Sequence, residues 1–107
     1  VNWQRICSES DLPTEFGVAA LVDGHTVAVF RTAADEVYAL GNVDPFSGAG
    51  VISRGIVGDR DGEPTVSSPM HKQAFSLRSG QCLDDPETRL PTYPVRRRAE
   101  TIEIATS

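Results

Sequence analysis

Gly17-Val18-Ala19-Ala20-Leu21-Val22-Asp23-Gly24-His25-Thr26-Val27-Ala28-Val29-Phe30-Arg31 holds two β-rich runs, residues 17–22 and 26–31, on either side of Asp23-Gly24-His25. An Asp-Gly pair between such runs marks a hairpin, because both turn residues tolerate positive φ. Working outward, Trp3 to Cys7 reads as a short strand, and residues 8–16 as a loop or a single helical turn around Asp11-Leu12-Pro13. Downstream, Ala34-Asp35 marks a second turn before the strand Val37-Tyr38-Ala39-Leu40.

From Gly41 to Pro64 the chain changes character, with six glycines, two prolines and four acids, and it reads as one long loop. A loop of that length in a compact domain is usually functional. Strand character returns at residues 65–67. Phe75-Ser76-Leu77 and Gln81-Cys82-Leu83 then flank the turn Arg78-Ser79-Gly80, and residues 84–91 form a polar connection. Residues 93–97 and 101–105 read as a closing hairpin, with Ile102 and Ile104 on one face of the last strand and Thr101 and Glu103 on the other. No internal repeat, heptad pattern or long helix is evident. The expectation is one all-β domain over residues 1–107, an antiparallel sandwich or barrel.

At 107 residues and 11.5 kDa, the size scaling expects roughly 5,800 Å² of exposed surface against roughly 16,700 Å² unfolded. That leaves enough buried for one core. No apolar run approaches the ~20 residues of a membrane span. The first residues lack a basic flank and an apolar signal core, so a cytoplasmic location is the default expectation. A net charge of −5 speaks against general nucleic-acid binding. The one basic cluster, Arg96-Arg97-Arg98, reads as a strand end with solvated side chains, with a contact for an acidic partner as the alternative.

Few residues offer chemistry. Gly48-Ala49-Gly50 does not continue as a dinucleotide fingerprint, and no serine sits in a nucleophile-elbow pattern. Two cysteines, Cys7 and Cys82, and two histidines, His25 and His71, match the inventory of a Rieske centre. Their spacing argues against one. The cysteines stand 75 positions apart, neither has a histidine within ten residues, and such a centre takes a Cys and a His together from each of two loops. Free, wholly or partly buried thiols are the simpler expectation.

Ser68-Pro69-Met70-His71-Lys72-Gln73-Ala74-Phe75, followed by Leu77, Gly80 and Cys82-Leu83-Asp84-Asp85, resembles the second cluster loop of Rieske-type domains. Leu40-Gly41-Asn42-Val43-Asp44-Pro45 resembles the first. On this correspondence Asn42 and Ser68 stand at the cysteine positions and Asp44 at the first histidine position, while His71 keeps its ligand type. Neither Asn nor Ser supplies the thiolate that an iron–sulfur cluster requires. The resemblance therefore implies an all-β, Rieske-like fold with two long loops in place of cluster-binding loops, and no cofactor in this chain.

Longer phrases narrow the likeness. Asn42-Val43-Asp44-Pro45-Phe46, Ser53-Arg54-Gly55-Ile56-Val57-Gly58-Asp59 and Gln81-Cys82-Leu83-Asp84-Asp85 resemble the small-subunit family of assimilatory NAD(P)H-dependent nitrite reductases. That resemblance implies a non-catalytic subunit. Its partner is a large subunit that carries FAD, sirohaem and an iron–sulfur cluster and reduces nitrite to ammonium. It also puts Phe46, Ile52, Arg54, His71, Lys72 and Gln73 at an exposed tip, as candidates for docking on that subunit. Each has a plainer role: His71 as a bond between the loops, Phe46 as a lid on the core, Arg54, Lys72 and Gln73 as solvated side chains. Pro45 and Pro69 read as turn formers, and Asp84 and Asp85 as turn caps. Two other readings stand beside it, an electron-carrying Rieske ferredoxin and a free-standing Rieske-like binding module.

Overall fold

A computed structural model describes residues 2–70 and 72–106. Among the described residues there are ten strands: β1 (Trp3–Ser8), β2 (Gly17–Val22), β3 (His25–Arg31), β4 (Val37–Gly41), β5 (Ile56–Arg60), β6 (Glu63–Ser67), β7 (Ala74–Ser76), β8 (Thr92–Tyr93), β9 (Val95–Arg98) and β10 (Thr101–Ala105). They pair antiparallel in three open sheets, ordered β1-β10-β9, β2-β3-β4-β8 and β5-β6-β7. The fold is thus all-β and layered, with no closed barrel. The exposed surface is 5781 Å², the value that the size scaling leads one to expect.

The hairpin at Asp23-Gly24 forms with both turn residues at positive φ, 49° and 80°, and register Val22↔His25. Strand β3 then decides the layering. Successive side chains point to opposite faces of a sheet, and Val27, Ala28, Val29 and Phe30 are all fully buried. Ala28 and Phe30 join Leu40, Ile52, Val66, Phe75, Leu77, Cys82 and Leu90 in one core cluster. Val27 and Val29 join Leu12, Val22, Ala39, Ile102 and Ile104 in a second. One strand feeds two cores, so the middle sheet is covered on both faces along residues 27–30 of β3, while Ala19 and Leu21 of β2 stay exposed.

Three sequence expectations need correction. Residues 41–64 are not one loop: they contain a 3-10 turn, Ile52–Arg54, the whole of β5 and the start of β6. The hairpin turn is Asp61-Gly62, again with both residues at positive φ, 52° and 88°. Gly58 within β5 and Gly55 just before it hide the strand in the composition. Gly55 is needed because a Cβ there would come within 2.5 Å of the Ser67 carbonyl oxygen. Tyr93 belongs to β8, paired with Ala39 of β4, and not to the closing hairpin. Pro94 has no N–H to extend a ladder and separates the two strands. The second arm around Arg78-Ser79-Gly80 is a single bridge, Phe75↔Cys82.

The arginine cluster is also more engaged than a solvated strand end. Arg96 lies 4.5 Å from the Trp3 ring centroid and bonds Glu103 at 2.6 Å. Arg97 pairs with Glu9 at 2.5 Å and with Asp35 at 3.1 Å, tying the first sheet to the β3–β4 turn. Hydrogen bonds from Arg31 and then Arg97 hold the Asp35 carboxyl below the usual range. Arg98 remains exposed.

The β9–β10 turn uses Ala99 and Glu100 at positive φ, 52° and 64°, where glycine or asparagine is the usual choice. Left-handed backbone costs an L-residue about 1–2 kcal/mol, and a glycine forfeits about 0.5–1 kcal/mol of it through unfolded-state entropy. Glu100→Gly is therefore expected to raise unfolding stability in a denaturant titration, by about 0.5–1 kcal/mol.

Candidate functional site

Two loops meet at one end of the molecule. The first follows β4 and runs from Asn42 to Gly50. It closes on itself through Asp44 N–H to Ala49 C=O (2.8 Å), Gly48 N–H to Asp44 C=O (2.7 Å) and the bridge Val43↔Gly50. The second joins β6 to β7. There Ser68 N–H donates to Gln73 C=O (3.0 Å) and Lys72 N–H to Ser68 C=O (2.9 Å), with Lys72 at φ 63°. Lys72 thus takes the tight-turn conformation that its loop demands.

The side chains at the cluster-ligand positions bind this tip together. Asn42, Asp44 and Ser68 are all buried. Asn42 Oδ1 accepts from Ser53 N–H (2.7 Å), and its Nδ2 donates to Gly50 C=O (3.3 Å). Its backbone donates to Thr26 C=O (3.0 Å) and accepts from Ile52 N–H (3.1 Å). Asp44 Oδ1 accepts from Phe46 N–H (2.8 Å), while Asp44 Oδ2 accepts from the Ser68 hydroxyl, which joins the two loops directly. The same hydroxyl oxygen accepts from Met70 N–H (3.3 Å). A buried carboxylate needs such donors. His71, placed with these residues from the sequence, lies outside the described residues.

This donor set does not fit a two-iron cluster. The two expected thiolate positions hold an amide and a hydroxyl, neither a soft donor, and both are already committed to hydrogen bonds. The Asp44–Ser68 bond joins the two loops directly at these positions. The two thiols are elsewhere: Cys82 is buried in the core beside β7, and Cys7 is half-buried on β1. Burial, then the Asp11 charge, pushes the Cys7 thiol up and away from its thiolate form. Both cysteines are free.

The candidate docking residues divide. Phe46 is 38% exposed, with its ring 6.3 Å from that of Phe75, so it both caps the core and faces outward. Lys72 is exposed on the second loop. Gln73 is half-buried, and its Oε1 is buried with no hydrogen-bond partner among the described residues. Arg54 is exposed, but at the end of the 3-10 turn that leads away from the tip into β5.

Ile52 is corrected outright: it is fully buried in the first core cluster and offers no surface. Its loop folds back because Asn42 captures the backbone on both sides of it.

Two residues not singled out from the sequence are exposed at the tip. Val43 is 47% exposed and Met70 50%, and both flank the Asp44–Ser68 bond. Large apolar side chains on loops otherwise made of turn residues were the available signal. Asp85 does cap its turn, accepting from Thr88 Oγ1 (2.8 Å) and Glu87 N–H (3.3 Å). Asp84 instead ties down β7. Its Oδ2 accepts from Ala74 N–H (2.9 Å), and this bond, with Arg60 nearby, holds its carboxyl below the usual range. Ser68→Ala is expected to remove one donor from the buried Asp44 carboxylate and lower unfolding stability by about 1–3 kcal/mol, read by denaturant titration.

Comparison with known proteins agrees with the all-β fold. Residues 2–105 match the Rieske-like [2Fe-2S] domain family. The NADH nitrite reductase small subunit of Salmonella typhimurium is 39% identical over 104 residues, 96% of each chain. A crystal structure from Mycobacterium tuberculosis, described as an NADH-dependent nitrite reductase small subunit, superposes with a TM-score of 0.96. It is 49% identical, and the match covers 99% of this chain and 96% of that one. The nitrite reductase [NAD(P)H] large subunit of Klebsiella oxytoca is 43% identical over 94 residues, which are 88% of this chain and 10% of that protein. The chain belongs to the Rieske-like [2Fe-2S] domain family and, within it, to the nitrite reductase small subunits.

Proposed function

We propose that the chain works as a cluster-free, non-catalytic small subunit of an NAD(P)H-dependent nitrite reductase, and that its two-loop tip docks on the large subunit. The observation that carries the reading is the tip itself. Positions that hold iron in Rieske centres are spent here on the hydrogen bonds of Asn42, Asp44 and Ser68. The same bonds hold Val43, Phe46 and Met70 outward as an apolar surface. An exposed apolar patch with a polar rim is the usual character of a protein contact, and aromatic and Met side chains are enriched at its centre.

The similarity within the Klebsiella large subunit supports the choice of partner, since a related domain there occupies a tenth of a longer chain. FAD, sirohaem and an iron–sulfur cluster then belong to the large subunit, and with them the choice of nicotinamide and the reduction of nitrite to ammonium. The two free thiols suit a reducing compartment, the cytoplasm. A net charge of −5 gives no footprint for nucleic acid.

The test is the affinity of this chain for its sirohaem flavoprotein, measured by titration calorimetry. Phe46→Ala, Met70→Glu and Lys72→Glu are each expected to weaken the complex about tenfold or more, the loss typical of an interface anchor. Equal affinity in all three variants contradicts docking through the tip.

A further inference from the structure

We propose that the outer edge of β5 is a strand-addition site, where an extended segment of the large subunit bearing basic side chains pairs with the backbone of Val57 and Asp59. The occupant is taken from the small-subunit reading above; the site is argued from its own geometry.

Strand β5 is the edge of the β5-β6-β7 sheet. The two-residue turn Asp61-Gly62 makes its flanking pair, Arg60↔Glu63, a hydrogen-bonded pair. Stepping by two residues, Gly58↔Thr65 and Ile56↔Ser67 also bond across to β6. Val57 and Asp59 therefore aim their N–H and C=O groups away from β6. Pro64, opposite Asp59, corroborates the phase, because its carbonyl turns to the far side and accepts from Leu77 N–H at 2.9 Å. Among the described residues, nothing bonds the outward groups of Val57 or Asp59.

Natural sheets blunt such edges with prolines, bulges or short strands. Here β1 is irregular between Arg5 and Cys7, and β8 is two residues long. Strand β5 has five pairs in unbroken register and no proline.

The surroundings fit one kind of occupant. Clefts of about 690 Å³ and about 560 Å³ lie along β5, and Glu15 and Val57 line both. At the end nearer Arg54, Phe16 is 65% exposed and Ile56 76% exposed, which gives an apolar seat. Toward the other end Glu36 and Asp59 join Glu15 to supply three carboxylates against one cation among the lining residues, Arg78, which leaves an excess of negative charge. An added strand draws affinity from main-chain bonds and specificity from side-chain seats. This edge selects apolar side chains followed by Lys or Arg. A second copy of this chain, paired antiparallel, is disfavoured, because it would set its apolar end, Phe16 and Ile56, against these carboxylates. Arg54 and Gly55 lead directly from the tip into β5, so both surfaces can face one partner.

Amide hydrogen exchange on the wild-type chain, alone and in complex with the large subunit, reads the site directly. The Val57 and Asp59 amides are expected to exchange at least tenfold more slowly in the complex. Val57→Pro removes one outward N–H while sparing every bond to β6. It is expected to weaken binding about tenfold, the worth of one backbone hydrogen bond. Glu15→Lys with Glu36→Lys is expected to weaken it as well; unchanged or tighter binding overturns the basic character of the occupant. A complex that forms with both amides unprotected overturns the edge site and leaves the small-subunit reading standing. Absence of any complex overturns that reading and this inference with it. Protection of the same amides by self-association of the isolated chain overturns the choice of partner.

Discussion

The hydroxyl of Ser68 on the buried carboxylate of Asp44 is the contact on which the rest of the tip depends. It joins a loop that follows β4 to a loop between β6 and β7, and so closes the middle sheet against the β5-β6-β7 sheet. In an iron–sulfur domain that junction is made by metal–ligand bonds. Here hydrogen bonds make it, and each partner is used more than once: Asp44 also receives Phe46 N–H, and Ser68 also receives Met70 N–H. Those two backbone bonds set the apolar side chains that face outward. Internal cross-link and external surface are thus products of the same few atoms.

Beneath the tip, β3 carries the architecture. With Val27 and Val29 in one cluster and Ala28 and Phe30 in the other, neither face of the middle sheet is left to solvent there. Ile52 is the plug that connects tip and core. Asn42 holds the turn that carries Ile52, through its own carbonyl to Ile52 N–H and its side chain to Ser53 N–H, and Ile52 packs among residues of the first cluster. A position that read as part of an exposed loop is therefore structural.

Much of this was legible in the sequence because it is local. Asp23-Gly24 announces its hairpin, the alternation of Ile102 and Ile104 announces a strand with one buried face, and Asn42 and Ser68 announce positions without a soft donor. What was not legible depends on distant parts of the chain. Strand β5 has only Ile56 and Val57 as apolar residues and a glycine at its centre, so its pairing with β6 supplies what its composition does not. The Asp61-Gly62 turn carried the same cue as Asp23-Gly24 but lay between runs too polar to register as strands. Burial of Ile52 and exposure of Val43 and Met70 are decided by how the loops fold back, which no local pattern encodes. Arg96 and Arg97 found their partners in Trp3, Glu9 and Asp35, all far away in sequence.

The small size of the domain gives the account its meaning. The tip positions that hold an amide, a carboxylate and a hydroxyl offer no thiolate, and the two cysteines lie elsewhere, buried or half-buried. The most direct measurement is NAD(P)H-dependent nitrite reduction by the large subunit, titrated with this chain after exhaustive treatment with an iron chelator. The account predicts that the metal-free chain binds and supports activity as fully as untreated chain. A requirement for iron in this chain would contradict it.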